Sequence, residues 1–381
     1  MTVPEMNLKP EGIKDAHTSV KGGFASFFSG KGYEVLPSAP LIPENDPSVV
    51  FTGATITPLK HYLTEGVPSP GVAMVQNCLR TKRHEQMYDM SSFPDWTHYF
   101  TMLGILAAPD QKEAVAQNAM DYIVNNLHIP QERIKVLATA EDKDLTAPWR
   151  NAGFAVEEDT QPKENFRWKY GAKDTVGRGI SFEIQNGQLP PRELGNIVSV
   201  ESSDGAVKGY EFGFGLESYL ASKHGASKPM EVSLMSAAVP YKEGLQEKIL
   251  DTLTAIAVIG HHGIEPAGGS KAQSVQQRLV KGLSYMLRKS ELPYAKISEW
   301  ANAFEEVEFG GEGSIGNKIL EWITTYNTKL EHFKSYAENQ VYAINERQDS
   351  LEKLPNRLRS YGGSIGIASE DLTELIQMIF Q

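Results

Sequence analysis

The spacing of hydrophobic positions changes once along this chain. From Gly71 to Gly215 apolar residues come in short runs separated by turns: GVAMVQNCLR, THYFTMLGILA, IKVLAT, ISFEIQ, NIVSVESS and KGYEFGFG. Runs of this length, bounded by Gly, Pro, Asn and Asp, predict β-strands. One clear helix interrupts them, over about 110 to 127, with Val115, Ala119, Tyr122, Ile123 and Leu127 on one face. Turns of hairpin length and few crossover helices predict an antiparallel sheet rather than a βαβ fold. From about residue 230 the period becomes three to four. Leu245, Ile249, Leu253 and Ile256 share a helix face, as do Val275, Leu279, Leu283 and Met286. A longer seam runs Ile319, Ile323, Tyr326, Leu330, Phe333, Ala337, Val341 and Ile344 until Pro355 stops it. The expected class is α+β, an antiparallel sheet flanked by helices and followed by an all-helical domain. Ahead of the strands lie a short aromatic helix at Phe24, Phe27 and Phe28, the Pro-rich SAPLIPENDP and the run SVVFTGA. The boundaries expected are a tail over 1–20, a sheet domain over 21–227 and a helical domain over 228–381.

At 381 residues there is room for two or three domains with sizeable cores. A formal net charge of −11 argues against indiscriminate nucleic-acid binding, which needs many cations on phosphates, but leaves room for a local basic patch. The opening MTVPEMNLKPEG lacks the charged and apolar regions of a signal peptide, and no apolar run approaches membrane-spanning length, so no membrane association and a cytoplasmic location are expected. The one cysteine, Cys78, excludes an internal disulfide and a Cys-rich zinc site. Its place in a strand-like run favours a buried small hydrophobe over a nucleophile, on the same face as Arg80.

Three motifs have plain readings beside their chemical ones. Gly311, Gly313 and Gly316 have the G-x-G-x-x-G spacing, but with no βαβ unit around them they read as a loop opening a helix. His261, His262 and Glu265 match no zinc pattern, and GHHG reads as a helix end; no resident metal is expected. Arg278, Lys281 and Arg288 share one helix face and are either RNA contacts or a solvated surface.

The pieces that carry chemistry come in order. NDPSVVFTGA at 45 to 54 is followed by VQNCLRTKRHEQ with THYFTMLG, an arginine-bearing strand, a polar loop and an aromatic return strand; YEFGFGLES at 210 to 218 is a strand and glycine turn feeding a helix. That layout suits an anionic nucleotide, with Arg80 directed at a phosphate, Tyr99 or Phe100 offering a ring to a base, and Gly213 and Gly215 admitting close backbone approach.

These segments resemble the aminoacylation fragment of alanyl-tRNA synthetase, a class II synthetase. The similarity spans about residues 20 to 381. It is strongest in FFSGKGYEVLPSAPLIPENDPSVVFTGA and in CLRTKRHE with YFTMLG, continues through NFRW, GNIVSV and GFGLE, and is weaker through the helical half. It implies a class II sheet followed by a helical tRNA-recognition region, with ATP and Mg²⁺ as cofactors. By the same resemblance Arg80 holds the α-phosphate, Tyr99 or Phe100 meets adenine, and His84 and Gly215 lie on the nucleotide side. Met102, Trp168, Asn196, Val198 and Gly213 line the amino-acid pocket, and Glu211 takes the place of an aspartate that grips the ammonium group.

Departures from the family pattern sit mostly at the triphosphate end. Ser218 replaces the arginine expected on the γ-phosphate, for which Lys82, Arg83, His84 or Arg178 are candidate substitutes. Thr101 replaces a glutamate and Ile105 an asparagine, and the stretches PAGGSKAQ and RLRSYGG lack the Asn and Asp that read the acceptor stem. The chain also stops before any editing domain. The activity expected is activation of alanine or another small amino acid as its adenylate, with transfer to a tRNA, a small molecule or a carrier protein. Alternatives are ATP-independent transfer from alanyl-tRNA and a non-catalytic binding or regulatory role. Class II domains often pair, so a homodimer is a further expectation.

Overall fold

The computed structural model describes residues 9–43, 46–81, 84–93, 95–158, 166–172, 174–187, 189–347 and 350–380, with the backbone alone for Pro10, His84, Glu85 and Asn186. Its contacts divide the chain into two compact units, 1–80 with 94–240, and 81–93 with 241–381.

The first unit contains, in order, α1 (Pro10–Gly30), β1 (Glu34–Leu36), the short helices α2 (Ile56–Leu59) and α3 (Tyr62–Glu65), β2 (Gly71–Leu79), β3 (Tyr99–Ala107), α4 (Lys112–Asp121), β4 (Ile134–Ala138), α5 (Lys143–Asn151), β5 (Ala155–Glu158), β6 (Arg167–Lys169), β7 (Val176–Asn186), β8 (Leu189–Glu201), β9 (Val207–Gly215), α6 (Leu216–His224) and α7 (Leu234–Ala238). The strands form one sheet in the order β1-β2-β3-β9-β8-β7-β4-β5, with β6 paired to β7. From β2 to β4 every neighbouring pair is antiparallel. Only the outermost pairs, β1 with β2 and β4 with β5, run parallel.

Alternation along each strand sorts the side chains onto two faces. Leu103, Ile105 and Ala107 of β3, with Tyr210, Phe212 and Phe214 of β9, join the larger core, where Phe24 and Phe28 of α1 meet Tyr122 and Trp149 of α5 packs on Phe182. Val72 and Met74 of β2, Leu106 of β3 and Val198 and Val200 of β8 face the other way, under α2, α3 and Tyr170. The predicted helix at 110–127 is α4 continued by one π-helical turn over Tyr122–Asn126, and the wider turn keeps Tyr122, Ile123 and Leu127 all buried.

The amino terminus differs from expectation. Where a tail to residue 20 is expected, α1 begins at Pro10, and Ile13 and His17 are buried. His17 lies with Nε2 2.8 Å from the carbonyl of Val232, a partner 215 residues away that no local pattern announces. The same contact ties the segment around Val232 to α1, and residues up to Pro240 belong to the first unit.

The second unit carries α8 (Leu245–His261), α9 (Lys271–Arg288), α10 (Tyr294–Phe309), α11 (Ile315–Glu346), α12 (Leu354–Ser364) and α13 (Ser369–Phe380), joined by the segment 81–93. The predicted seam is α11. Its residues from Ile319 to Ala337 are buried, and Val341 and Ile344 pack beside α12 and α13. Two glycines of GGEGSIG, Gly313 and Gly316, serve helix packing. A Cβ on Gly316 would stand 2.1 Å from the Ser298 carbonyl of α10, while Glu305 of α10 accepts from the amides of Ser314 and Ile315 at the start of α11. The anion at this helix N-terminus is the protein's own carboxylate. Among the described residues no helix is long and apolar enough to cross a membrane.

Candidate active site

The sheet face opposite the larger core collects most of the residues singled out in the sequence. Registers place Met102 of β3 against Gln76 of β2 and Gly215 of β9, Asn196 of β8 against Gly213, and Val198 against Glu211. Cys78 pairs with Phe100, so Arg80, one step beyond β2, shares their face by alternation. Trp168 of β6 pairs with Gly177 of β7.

Arg80 is held on three sides. Its amide donates to the His98 carbonyl (2.8 Å), its Nε donates to the Gly53 carbonyl (2.8 Å), and its guanidinium lies over the Phe100 ring at 4.9 Å from the centroid. A pinned and stacked guanidinium meets a ligand with little rotamer entropy left to lose. Gly53 belongs to the FTGA run, which continues alongside β2 through a bond from the Leu79 amide to the Thr52 carbonyl (2.9 Å). Gln76, fully buried, braces the preceding loop by accepting from the Ala39 amide (2.8 Å) and donating to the Ala39 carbonyl (3.0 Å).

Glu211 is 5% exposed, and Tyr170 donates to its Oε2 at 2.9 Å. Burial pushes its carboxyl up to about 7, against the opposing pull of the Tyr170 hydroxyl and of the Arg80 charge. Arg80 and Glu211 therefore stand on one face, close enough for their charges to interact, above antiparallel strands. Glu193 also feels Arg80 and bonds to Asn196.

Packing on this face is close. A Cβ on Gly179 would stand 2.2 Å from the Ile197 carbonyl and 3.0 Å from Cζ3 of Trp168, so glycine is needed for Trp168 to lie on the sheet. Met102 closes over Gly213, where a Cβ would come within 3.2 Å of its Cε. Val198 is fully buried beside Tyr170 and Trp168, forming floor rather than wall.

Several expected residues lie elsewhere. Tyr99 pairs with Leu79 and faces away, so of the two aromatic candidates Phe100 is the one on Arg80's face. Ile105 is buried in the larger core, and Thr101 is buried on that same side, its amide donating to the Glu217 carboxylate of α6 (3.0 and 3.1 Å). Arg178 does not replace the missing arginine. It stands between Gly177 and Gly179 on the opposite face, bonded to Asp144 (2.8 and 3.0 Å) and Glu201 (2.8 Å). Lys82 and Arg83 lie outside the described residues, as does the side chain of His84. Ser218, in the first turn of α6, sits above Gly215, where a Cβ would meet its Oγ at an ordinary 3.7 Å. Cys78 is fully buried, and burial pushes its thiol up to about 12, which suits packing and not nucleophilic attack.

In the helical unit the basic stripe is partly spoken for. Arg288 pairs with buried Asp371 and donates to Ser284 (2.6 Å), and Lys281 lies half-buried near the Tyr326 ring. Arg278 is exposed. His261 pairs with Glu305 at 2.8 Å and stacks on Phe309, a structural pairing. Sequence reasoning missed Tyr170, Gly53, Gln76 and Glu193. Tyr170 carried a signal, standing two residues after Trp168, whereas a carbonyl acceptor such as that of Gly53 has no residue signature.

Comparison with known proteins finds partial matches. Residues 19–192 match the model for tRNA synthetases class II (A). An alanine–tRNA ligase from Desulforudis audaxviator is 23% identical over 339 residues, covering 76% of this chain and 38% of that protein. The mitochondrial alanine–tRNA ligase of Caenorhabditis elegans is 27% identical over 205 residues, covering 50% and 26%. An alanine–tRNA ligase from Carboxydothermus hydrogenoformans is 31% identical over 156 residues, covering 40% and 18%. The chain thus spans less than two-fifths of the length of these relatives. Over residues 19–192 it is similar to class II tRNA synthetases, and over part of its length to alanine–tRNA ligases at modest identity.

Proposed function

We propose that this chain activates a small, alanine-like amino acid with ATP and passes the acyl group to an acceptor. The observation that carries the reading is the placement of Arg80, Phe100, Met102, Asn196 and Glu211 on one face of strands β2, β3, β9 and β8. Glu211 holds the ammonium group, and Met102, Trp168 and Asn196 enclose the small side chain. The amino-acid carboxylate is thereby aimed at the α-phosphorus, where a P–O bond forms to it and the bond to the departing pyrophosphate breaks. Arg80 stabilises the charge that builds on the phosphoryl oxygens. With its Nε committed to Gly53, the fork that meets phosphate is the Nη pair. Phe100, under the guanidinium, supplies a ring on the adenine side.

Fit to Mg²⁺ is of the kind that rides on phosphates. Among the described residues no three His, Cys, Asp or Glu side chains form a metal cage. A Mg²⁺ carried by a triphosphate needs only one or two protein carboxylates, and Glu193, a second carboxyl besides Glu211 that feels the Arg80 charge, would serve it. Such an ion would neutralise phosphate charge. Amino-acid-dependent ATP–pyrophosphate exchange across the twenty amino acids is the test, and no exchange with any of them removes adenylate formation.

Ser218 favours a second reading. With a neutral side chain in the first turn of α6, and Arg178 engaged on the other face, the chain would take preformed alanyl-tRNA as donor without ATP. That activity persists when ATP is omitted and disappears on ribonuclease treatment. Silence in calorimetry toward alanine, ATP and a non-hydrolysable alanyl-adenylate mimic would leave a binding or regulatory role.

A further inference from the structure

The Glu211 side chain is one methylene longer than the family's aspartate, and extra length brings extra rotamers that blur where the carboxylate sits. Here it is held. Among the described residues the carboxylate accepts a hydrogen bond from Tyr170 at Oε2 (2.9 Å), and both side chains are buried. Tyr170 is itself fixed. Its ring edge lies against Gly177, where a Cβ would come within 2.9 Å of Cε2, and it packs in the cluster of Val72, Met74, Leu106 and Val198. No cation is paired with Glu211 among the described residues; Arg80 reaches it only through its field.

We propose that Tyr170 is a positioning residue for substrate amine recognition, its hydroxyl orienting Glu211 so that Oε1 is presented to a protonated primary amine. The inference rests on the reading of this face as an amino-acid site. Chemically, the hydroxyl donates to the ionised carboxylate, and that bond is stronger than one to the neutral acid. Tyr170 therefore favours the ionised state an ammonium group requires, in a place where burial opposes it. When the empty-site carboxyl is protonated, binding of the ammonium form releases that proton to solvent. Substrates without a free amine, such as hydroxy acids or N-acylated amino acids, gain nothing from the pair.

Two measurements test this. The first follows Glu211 ionisation in the ligand-free full chain by carbon-13 NMR of labelled glutamate, in wild type, E211Q for assignment, and Y170F, which keeps the ring and its packing. Tyr170→Phe is expected to raise the Glu211 midpoint by about one pH unit or more. The second is calorimetric titration with L-alanine and with the alanyl-adenylate mimic across pH, in wild type, Y170F, E211D and the double variant. Y170F is expected to weaken binding roughly tenfold near neutrality and to recover at higher pH. In E211D, whose carboxylate is retracted from the hydroxyl, adding Y170F should change binding little. An unmoved midpoint in Y170F, a loss equal at every pH, or full additivity with E211D overturns the inference while leaving the amino-acid site standing. Failure of the wild type to bind alanine or the mimic at any pH takes down the functional reading and this inference with it.

Discussion

Glu211→Gln is expected to make the ligand-free protein more stable, and only at the pH where the native carboxylate must ionise. Burial raises the Glu211 carboxyl to about 7 from an ordinary 4.5. Between those two values the folded chain binds a proton that the unfolded chain has released, so stability falls as pH rises. The stabilising contribution is whole below 4.5 and lost as pH passes through about 7. At about 1.36 kcal/mol per unit, the full span amounts to roughly 3 kcal/mol at pH 8.5 and under about 1 kcal/mol at pH 5. Glutamine has nearly the same shape, still accepts from Tyr170, and carries no charge to desolvate. The variant should therefore gain about 2 to 3 kcal/mol over wild type on going from pH 5 to pH 8.5. Urea unfolding of both proteins at both pH values, followed by near-ultraviolet circular dichroism, reads this as a difference of differences in which other titrating groups cancel. A Gln variant shifted equally at the two pH values, or less stable at pH 8.5, would refute the picture of a carboxylate held in the sheet face at the expense of folding. The same variant should lose binding of the amino acid, which separates a site residue from a structural one.

Other outcomes follow from single contacts. Arg80→Lys removes the bond to Gly53 and the planar stack on Phe100, and pyrophosphate exchange should fall about ten- to a hundredfold with folding unchanged by circular dichroism. Gly179→Ala would drive a methyl into the Ile197 carbonyl and the Trp168 ring, and should lower stability by about 1 to 3 kcal/mol and quench alanine binding in the same titration. Arg288→Ala leaves buried Asp371 without its cationic partner, with only the Tyr326 hydroxyl bonded to it among the described residues, and should destabilise the helical unit by about 2 kcal/mol, discounted for the partial exposure of the arginine. Arg278→Ala should stay within about 0.5 kcal/mol of wild type, so thermal melts of the two variants separate a structural arginine from a surface one.

The strands and helices that bury a face were legible because burial writes a period into the sequence. β2, β3, β7, β8 and β9 and the seam of α11 are such elements. Edge elements were not. β1 and β5 are short and mostly exposed, so neither face imposes alternation on them. The first half of α1 was missed for a different reason. Its apolar positions are sparse, Gly22 and Gly23 interrupt the helical signal, and the partner of buried His17 at Nε2 is the Val232 carbonyl, far along the chain. In the candidate site, residue types with charge or rings could be named from order alone, and the resemblance supplied β6 through NFRW. The choice between Tyr99 and Phe100 needed register, since adjacent strand positions face opposite ways and one step decides which ring meets Arg80.

Register also changes what the departures from the family mean. Thr101 and Ile105 stand on the side of β3 that packs against helices, where Thr101 meets Glu217 and Ile105 fills the larger core. Neither side chain reaches the face that holds Arg80, so their replacement alters how the sheet is backed and not that face. Glu211 does stand on Arg80's face, and there the longer acid is met by the Tyr170 hydroxyl. That leaves Ser218 as a departure beside Gly215, and Arg178, the described candidate to replace the lost cation, is engaged on the opposite face. If exchange with ATP is slow while the alanyl-adenylate mimic binds tightly, restoring the cation with Ser218→Arg should speed exchange and leave alanine binding alone. An increase in alanine affinity without faster exchange would mean that α6 governs the amino-acid end, against the division of labour these strands describe.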